Sequence, residues 1–393
     1  MSLTSEYERI LSATVDVWFR NFAGTSALDV AENLSLDHSQ VMRAFEELTL
    51  LGCGSLNRNV GLIQVSFDTS HSRAGYTSEP ITTHIFFPSK ECLRKAFFAS
   101  DLPQQRLPEY TTRLHLGAHQ LGLVYFVEEV LVKYFNHPEH YQINDSLAGG
   151  HVSTLSAAPK DRYLWVRYGK SRLKSGQIVV AAIYKDLSYM SSSEQRYWHS
   201  HEIELPDIDE SDVHFQKFLR RTYEGDPVCF DDPIARVLKA VLNVNAALGD
   251  TPLFQKVKNI HLRLPVEHTY KSYCDAASEL YKIVGPDNIS QVRLKDLLCG
   301  RFGLADADLK HLESGRSLST WQLLALVEER LGSPSLLTKP LSAVKGLRID
   351  ADHRMLEPDT EPKSYSRQFA GICNDLAASL ERLAAALAEH DGA

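Results

Sequence analysis

Between residues 6 and 68 the apolar residues change from a helical repeat to a two-residue alternation, and this change constrains the fold more than any other stretch of the chain. Tyr7 to Phe22 reads as an amphipathic helix and Ser26 to Leu34 as a second. Asp37 is the N-cap of a third, which runs through Leu51. Two strand-like pieces follow, Gly54 to Asn57 and Gly61 to Phe67, joined at Arg58 and Asn59. Three helices and a hairpin can share one core, filled by Leu28, Ala31, Leu34, Val41, Phe45 and Leu48, with Gly52 ending the third helix.

The pattern SALDVAENLSLDHSQVMRAFEELTLLG resembles the winged helix-turn-helix family, over about a sixth of the chain. The resemblance implies that the third helix enters the major groove. His38, Ser39, Gln40 and Arg43 near its N-terminus, and Arg58 of the wing, would then contact DNA. Asp37, Glu46 and Glu47 leave that helix without a net positive face. Phosphate contacts supply much of the affinity for DNA, so use of the module for dimerisation or domain packing stays open.

Residues 69 to 80 are polar, contain Gly and Pro, and read as a linker. A mixed α/β domain is expected from 81 to 230, with a strand at Ile81 to Phe87, a Ser89-capped helix through Phe98, and a buried helix from Gly117 to Phe135. This region resembles segments of uncharacterised prokaryotic proteins, which implies no activity. Its most suggestive piece is a hairpin from Lys160 to Leu187. Alternation puts Leu164, Val166 and Tyr168 on one face and Tyr163, Trp165 and Arg167 on the other, with a turn between Gly169 and Gly176. Lys160, Arg162, Arg167, Lys170, Arg172 and Lys174 oppose one acid, Asp161. Such a hairpin can follow a phosphate backbone and stack bases, or be a solvated edge whose lysines discourage aggregation. Ser191 and Glu194 form a capping box ahead of a helix through Trp198. The His137/His140 and His199/His201/Glu202 clusters have no second ligand pair at a fitting spacing, so no metal and no cofactor is expected.

From 231 the chain reads as an α-helical bundle ending in an Ala-rich helix from Ser364 to His390, whose apolar stripe fits a bundle or a dimer seam. Ahead of it, Leu337, Leu341, Val344, Leu347, Ala351 and Met355 recur at steps of three and four. Arg348 and His353 fall on opposite flanks of that stripe, at Arg-x4-His spacing. A bundle of this kind, with this pair on the helix before the last, resembles the HEPN superfamily over about residues 265 to 390. The resemblance implies metal-independent ribonuclease activity of the toxin or antiviral-defence type. Arg348 and His353 from two protomers would form one site, with His353 as general base or acid at the ribose 2'-hydroxyl and Arg348 stabilising phosphate charge. Ile349 departs from the family, many of whose active members have a polar residue there. Arg348 and Asp352 also suit a plain i,i+4 ion pair.

The expected architecture is thus an α+β multidomain protein: winged helix at 1–68, linker at 69–80, mixed domain at 81–230, helical bundle at 231–393. At 44% hydrophobic and 23% charged, with no apolar run approaching 18 residues, the chain reads as a globular protein without a membrane span. MSLTSEYERI lacks a basic-then-apolar leader, and the six scattered cysteines suit reduced thiols, so a cytoplasmic location is expected. A net charge of −8 excludes a protein that is polyanion glue over its whole surface. Phosphate-loop, dinucleotide and nucleophile-elbow motifs are absent. Two functions remain. One is a ribonuclease effector, homodimeric, acting on RNA and controlled by nucleic acid or a partner protein of a defence system. The other is a non-enzymatic DNA-binding regulator or adaptor that dimerises through its helical region.

Overall fold

The computed structural model describes the backbone of residues 3–68, 75–249, 251–259, 261–311, 314–353 and 364–389, and their side chains save those of 64–68, 75–79 and 353. It is an α+β protein with sheets in its first half and helices at its C-terminal end. The strands are β1 (Thr25–Ser26), β2 (Gly54–Asp68), β3 (Gly75–Pro88), β4 (Leu123–Val127), β5 (Tyr141–Asp145), β6 (Gly149–Thr154), β7 (Trp165–Arg172), β8 (Ile178–Ile183) and β9 (Glu202–Ile203). They form a three-stranded sheet in the order β1-β3-β2 and a six-stranded sheet in the order β5-β6-β7-β8-β4-β9. The chain divides into two compact units. The first comprises Met1–Val124, Ser156–Val166 and Ala182–Glu202, the second Tyr125–Leu155, Arg167–Ala181 and Ile203–Ala393.

In the first unit, helices α1 (Ser5–Asn21), α2 (Ala27–Leu34) and α3 (His38–Leu50) precede β2. Each begins on a side-chain cap: Thr4 accepts from Tyr7 N–H, Ser26 from Asp29 N–H, and Asp37 from Ser39 and Gln40 N–H. α3 stops at Gly52, whose φ of 73° lets Cys53 N–H reach Leu48 O at 2.9 Å. Ile10, Val30, Val41, Phe45, Leu48 and Phe86 close one core, in which the rings of Phe45 and Phe86 stack at 5.0 Å. Ala27 and Val30 are buried, whereas Leu28 and Leu34, expected in the core, are half-buried.

Two expectations are corrected here. The short pieces at 54–57 and 61–67 are one strand, β2, carrying a bulge between Asn57 and Val60 where Asn59 takes φ 52°. Its hairpin partner is β3, so residues 75–80 of the expected linker belong to a strand; residues 69–74 lie outside the described residues. The polar run and Pro80 concealed it. β1 pairs with β3 only at Ile85 and Phe86, so at Pro80 the strand has a free edge that tolerates a missing N–H. The expected helix from 117 to 135 is instead β4, a 3-10 turn at Glu128–Leu131 and a short helix at Val132–Asn136. Both faces of β4 are apolar in sequence although only Val124 and Phe126 are fully buried, so the run carries no period to separate helix from strand.

Elsewhere in the first unit, Glu202 gathers three donors: Arg113 Nη1 at 2.6 Å, Tyr110 Oη at 3.1 Å and His199 Nδ1 at 3.0 Å. Burial pushes its carboxyl up, but the bonds from Arg113, His199 and Tyr110 outweigh burial and leave it below the ordinary carboxylate value.

In the second unit the helices Pro233–Ala247, Tyr270–Val284, Thr338–His353 and Tyr365–Glu389 form the bundle. Pro233–Ala247 lies along Tyr365–Glu389, and Tyr270–Val284 along Thr338–His353. Leu280, Val284, Leu341, Val344, Phe369, Leu376 and Leu380 fill the interior. Glu328, fully buried, accepts from Leu337 N–H at 2.5 Å, Thr338 N–H at 2.8 Å and Thr338 Oγ1 at 2.7 Å, which caps the start of Thr338–His353. Among the described residues no helix is long and apolar enough to cross a membrane.

The Glu202 network predicts an acid-side signature. A carboxyl whose folded value lies below its unfolded one contributes stability in full above about pH 4.5, and that contribution is lost as pH falls through the folded value. Urea melts between about pH 6 and pH 3 should therefore show a shallower acid loss for Glu202→Gln than for the native chain.

Candidate functional site

Arg348 lies on Thr338–His353, a helix held inward by Leu337, Leu341 and Val344. Its side chain is 40% exposed and spans three weak contacts. Nε is 3.7 Å from Asp352, Nη1 is 3.8 Å from Asp287, and the guanidinium sits 4.9 Å from the centre of the Tyr281 ring. The expected i,i+4 pair is therefore present. Two residues along, Asp350 accepts from Tyr270 Oη at 2.9 Å. Arg348 thus has two acids, Asp287 and Asp352, within 4 Å, and an arriving phosphate must displace both. His353 is the last residue of the helix, and its side chain, like Met355, lies outside the described residues.

On α3 the residues expected to read bases are largely engaged within the chain. His38 Nε2 is 2.9 Å from Thr83 Oγ1, Gln40 Nε2 donates to Glu6 at 2.6 Å, and Ser39 Oγ donates to the capping carboxylate of Asp37. Those bonds to Asp37 hold its carboxyl below the ordinary range. Ser39 and Arg43 face solvent. Arg58, exposed at the bulge of β2, comes within 3.9 Å of Glu46 on α3, so this end of the hairpin adjoins the exposed helix face.

The basic hairpin is largely neutralised. Arg172 Nη2 donates to Asp209 at 2.5 Å and Lys174 meets Asp207 at 2.7 Å. Arg167 is exposed and Arg162 half-buried. Leu164, Val166 and Tyr168 are buried as the alternation requires, with Tyr163 and Trp165 exposed. Lys170 corrects the expectation of a solvent-facing base. It is 1% exposed, with Nζ 2.7 Å from Asp145 and 3.0 Å from Glu128. Tyr168 Oη donates to Asp145 at 2.8 Å, and His268 Nε2 is 3.9 Å from Glu128. Burial pulls Lys170 toward neutrality, but the two carboxylates outweigh it and hold the ammonium above its ordinary value. A group so enclosed meets no substrate; it is an interior charge that fixes β5, β7 and the turn after β4.

Reading the sequence missed Glu128 and Asp145 as its partners. The signal was available: alternation that puts residues 164, 166 and 168 inside puts 170 inside as well, and a buried ammonium requires carboxylates.

Among the described residues no group of three or more His, Cys, Asp or Glu side chains is placed to hold a metal ion. Comparisons with protein-family models, curated proteins and solved structures find no match to this chain.

Removing Lys170 leaves two buried carboxylates without a cation. Lys170→Met should cost about 3–5 kcal/mol in chemical denaturation. Arg348→Ala, at a half-exposed pair, should cost under about 1 kcal/mol.

Proposed function

We propose that residues 5–88 are a winged helix-turn-helix module, and that the protein is a non-enzymatic regulator or adaptor acting through this module on duplex DNA. The observation that carries the reading is connectivity. Three helices, the short β1 ahead of α2, and the β2/β3 hairpin after α3 give a β1-β3-β2 sheet, with Ser39, Arg43 and Arg58 exposed on α3 and the hairpin. Residues 1–88 carry ten acids against five arginines and no lysine, so phosphate attraction contributes little and affinity rests on a few side-chain contacts.

Selection of a duplex from a random pool, followed by anisotropy titrations, tests this reading. Arg43→Ala should weaken binding to the selected site by about 1–3 kcal/mol, and Arg58→Ala should lower the log–log salt slope by about one. Retention of no duplex at low salt would overturn it and leave the module as a protein-contact surface.

One observation favours a second reading. Arg348 is half-exposed on a bundle helix that also carries His353, and its ion pairs are long enough for a phosphate to displace. In this reading the protein is a HEPN-like, metal-independent ribonuclease of a defence or toxin system, working as a cytoplasmic homodimer with RNA as substrate and a partner protein as trigger. Induced expression should then be toxic and leave RNA ends bearing 2',3'-cyclic phosphate. Arg348→Ala and His353→Ala, at equal abundance, should lose both effects. Intact RNA with the native chain sinks this second reading.

A further inference from the structure

Cys53 closes the junction between α3 and β2. Its N–H reaches Leu48 O at 2.9 Å, and its carbonyl accepts from Ser89 N–H at 2.7 Å, one step beyond the first β2/β3 pair, Gly54 with Pro88. A Cβ on Gly54 would overlap Phe87 O and the Phe86 ring, so the chain here lies hard against β3. Ser89 in turn caps the helix Lys90–Ala99, its hydroxyl accepting from Cys92 N–H at 3.4 Å. Ser89 therefore holds both cysteines, Cys53 through its N–H and Cys92 through its hydroxyl. Residues that face one another across two strands stand about 5.5 Å apart, and the third residue of a helix lies over its cap, so the two thiols come together. They act on one another directly: burial, and then Cys92, pushes the Cys53 thiol above its ordinary value. Both are free and half-buried, and both belong to the first unit.

The pair lies where two cores of that unit adjoin. Cys53 packs on the core of Ile10, Phe45, Leu48 and Phe86. The helix Lys90–Ala99 gives Leu93 to a separate core, with Val15, Trp18, Phe22 and Leu114. Along the chain, the whole β2/β3 hairpin separates the two cysteines.

We propose that Cys53 and Cys92 form a dithiol switch, which a peroxide oxidises to a disulfide that ties the exit of α3 to the start of Lys90–Ala99. One thiolate attacks a peroxide oxygen; the O–O bond breaks, and the other oxygen leaves as hydroxide and takes up the thiol's proton. The second sulfur then attacks the sulfenic sulfur, the S–S bond forms as the S–O bond breaks, and a second water leaves. Two thiols and one peroxide thus become one disulfide and two waters. The reduced pair is the resting state, because a thiol held above its ordinary value offers little thiolate at neutral pH. Once formed, the bond fastens one core to the other. The proposal rests on neither functional reading above.

Hydrogen peroxide added to the full chain tests it. Free thiols counted after denaturation should fall from six to four, and peptide mapping should find Cys53 joined to Cys92. Linking should run several-fold faster at about pH 9 than at about pH 7. The melting temperature of the linked chain should rise by about 4 °C or more and return on addition of dithiothreitol. Cys53→Ser and Cys92→Ser, each a change of one atom, should show neither the link nor the shift. Sulfinic acid on either cysteine without a link, a link made to the exposed Cys229 instead, or a linked chain that melts where the reduced one does, would overturn the proposal.

Discussion

An ammonium group withdrawn from water sets terms that the rest of the second unit must meet. Lys170 sits on β7 with its whole side chain enclosed, and such a charge persists in an interior only when oppositely charged oxygens stand within hydrogen-bond reach. Asp145 comes from the end of β5 and Glu128 from the turn after β4. Tyr168, two residues earlier on the same face of β7, completes Asp145. Three chain segments far apart in sequence are therefore tied by one cation. The triad adds to the register already set by the buried Val166 and Tyr168, because a one-residue slip of β7 turns Lys170 with them to the opposite face and leaves both carboxylates unpaired.

The C-terminal bundle is organised by the same kind of interaction at smaller scale. Glu328 spends both carboxylate oxygens on the opening of Thr338–His353, so the position of that helix depends on a buried cap together with Leu337, Leu341 and Val344. Arg348 takes no part in this. Its ion pairs are long, its surroundings partly wet, and the helix keeps its place without it.

How far the sequence could be read follows from where periodicity survives. α1, α2 and α3 were legible because each pairs a Thr, Ser or Asp cap with a one-sided apolar stripe, and the long final helix because Phe369, Leu376, Leu380 and Leu383 keep one face. β4 was not, because all five residues from Leu123 to Val127 are apolar or aromatic, with no polar alternation to mark the strand. The first half of β3 hid for the opposite reason, being polar and broken by Pro80. Side-chain partnerships were less legible than elements. The i,i+4 pair of Arg348 and Asp352 could be read from spacing. The link from Lys170 to Asp145 and Glu128, or from Arg367 to Asp212, joins residues whose proximity only tertiary structure creates.

Two arginines in the second unit illustrate what burial does to an ion pair. Arg348 has solvent on one side and acids on the other, so an arriving phosphate must displace water and overcome Asp287 and Asp352 at a high effective dielectric, where each ion contact is weak. Arg367 is mostly enclosed, lies beside a cavity, and has one arm that bonds nothing among the described residues. There the same Coulomb attraction, to Asp212, acts through less water, so it is stronger per contact than at Arg348. Exposure made Arg348 the residue that a motif could nominate. The enclosed guanidinium of Arg367, which no motif could nominate, is committed to Asp212 inside the fold.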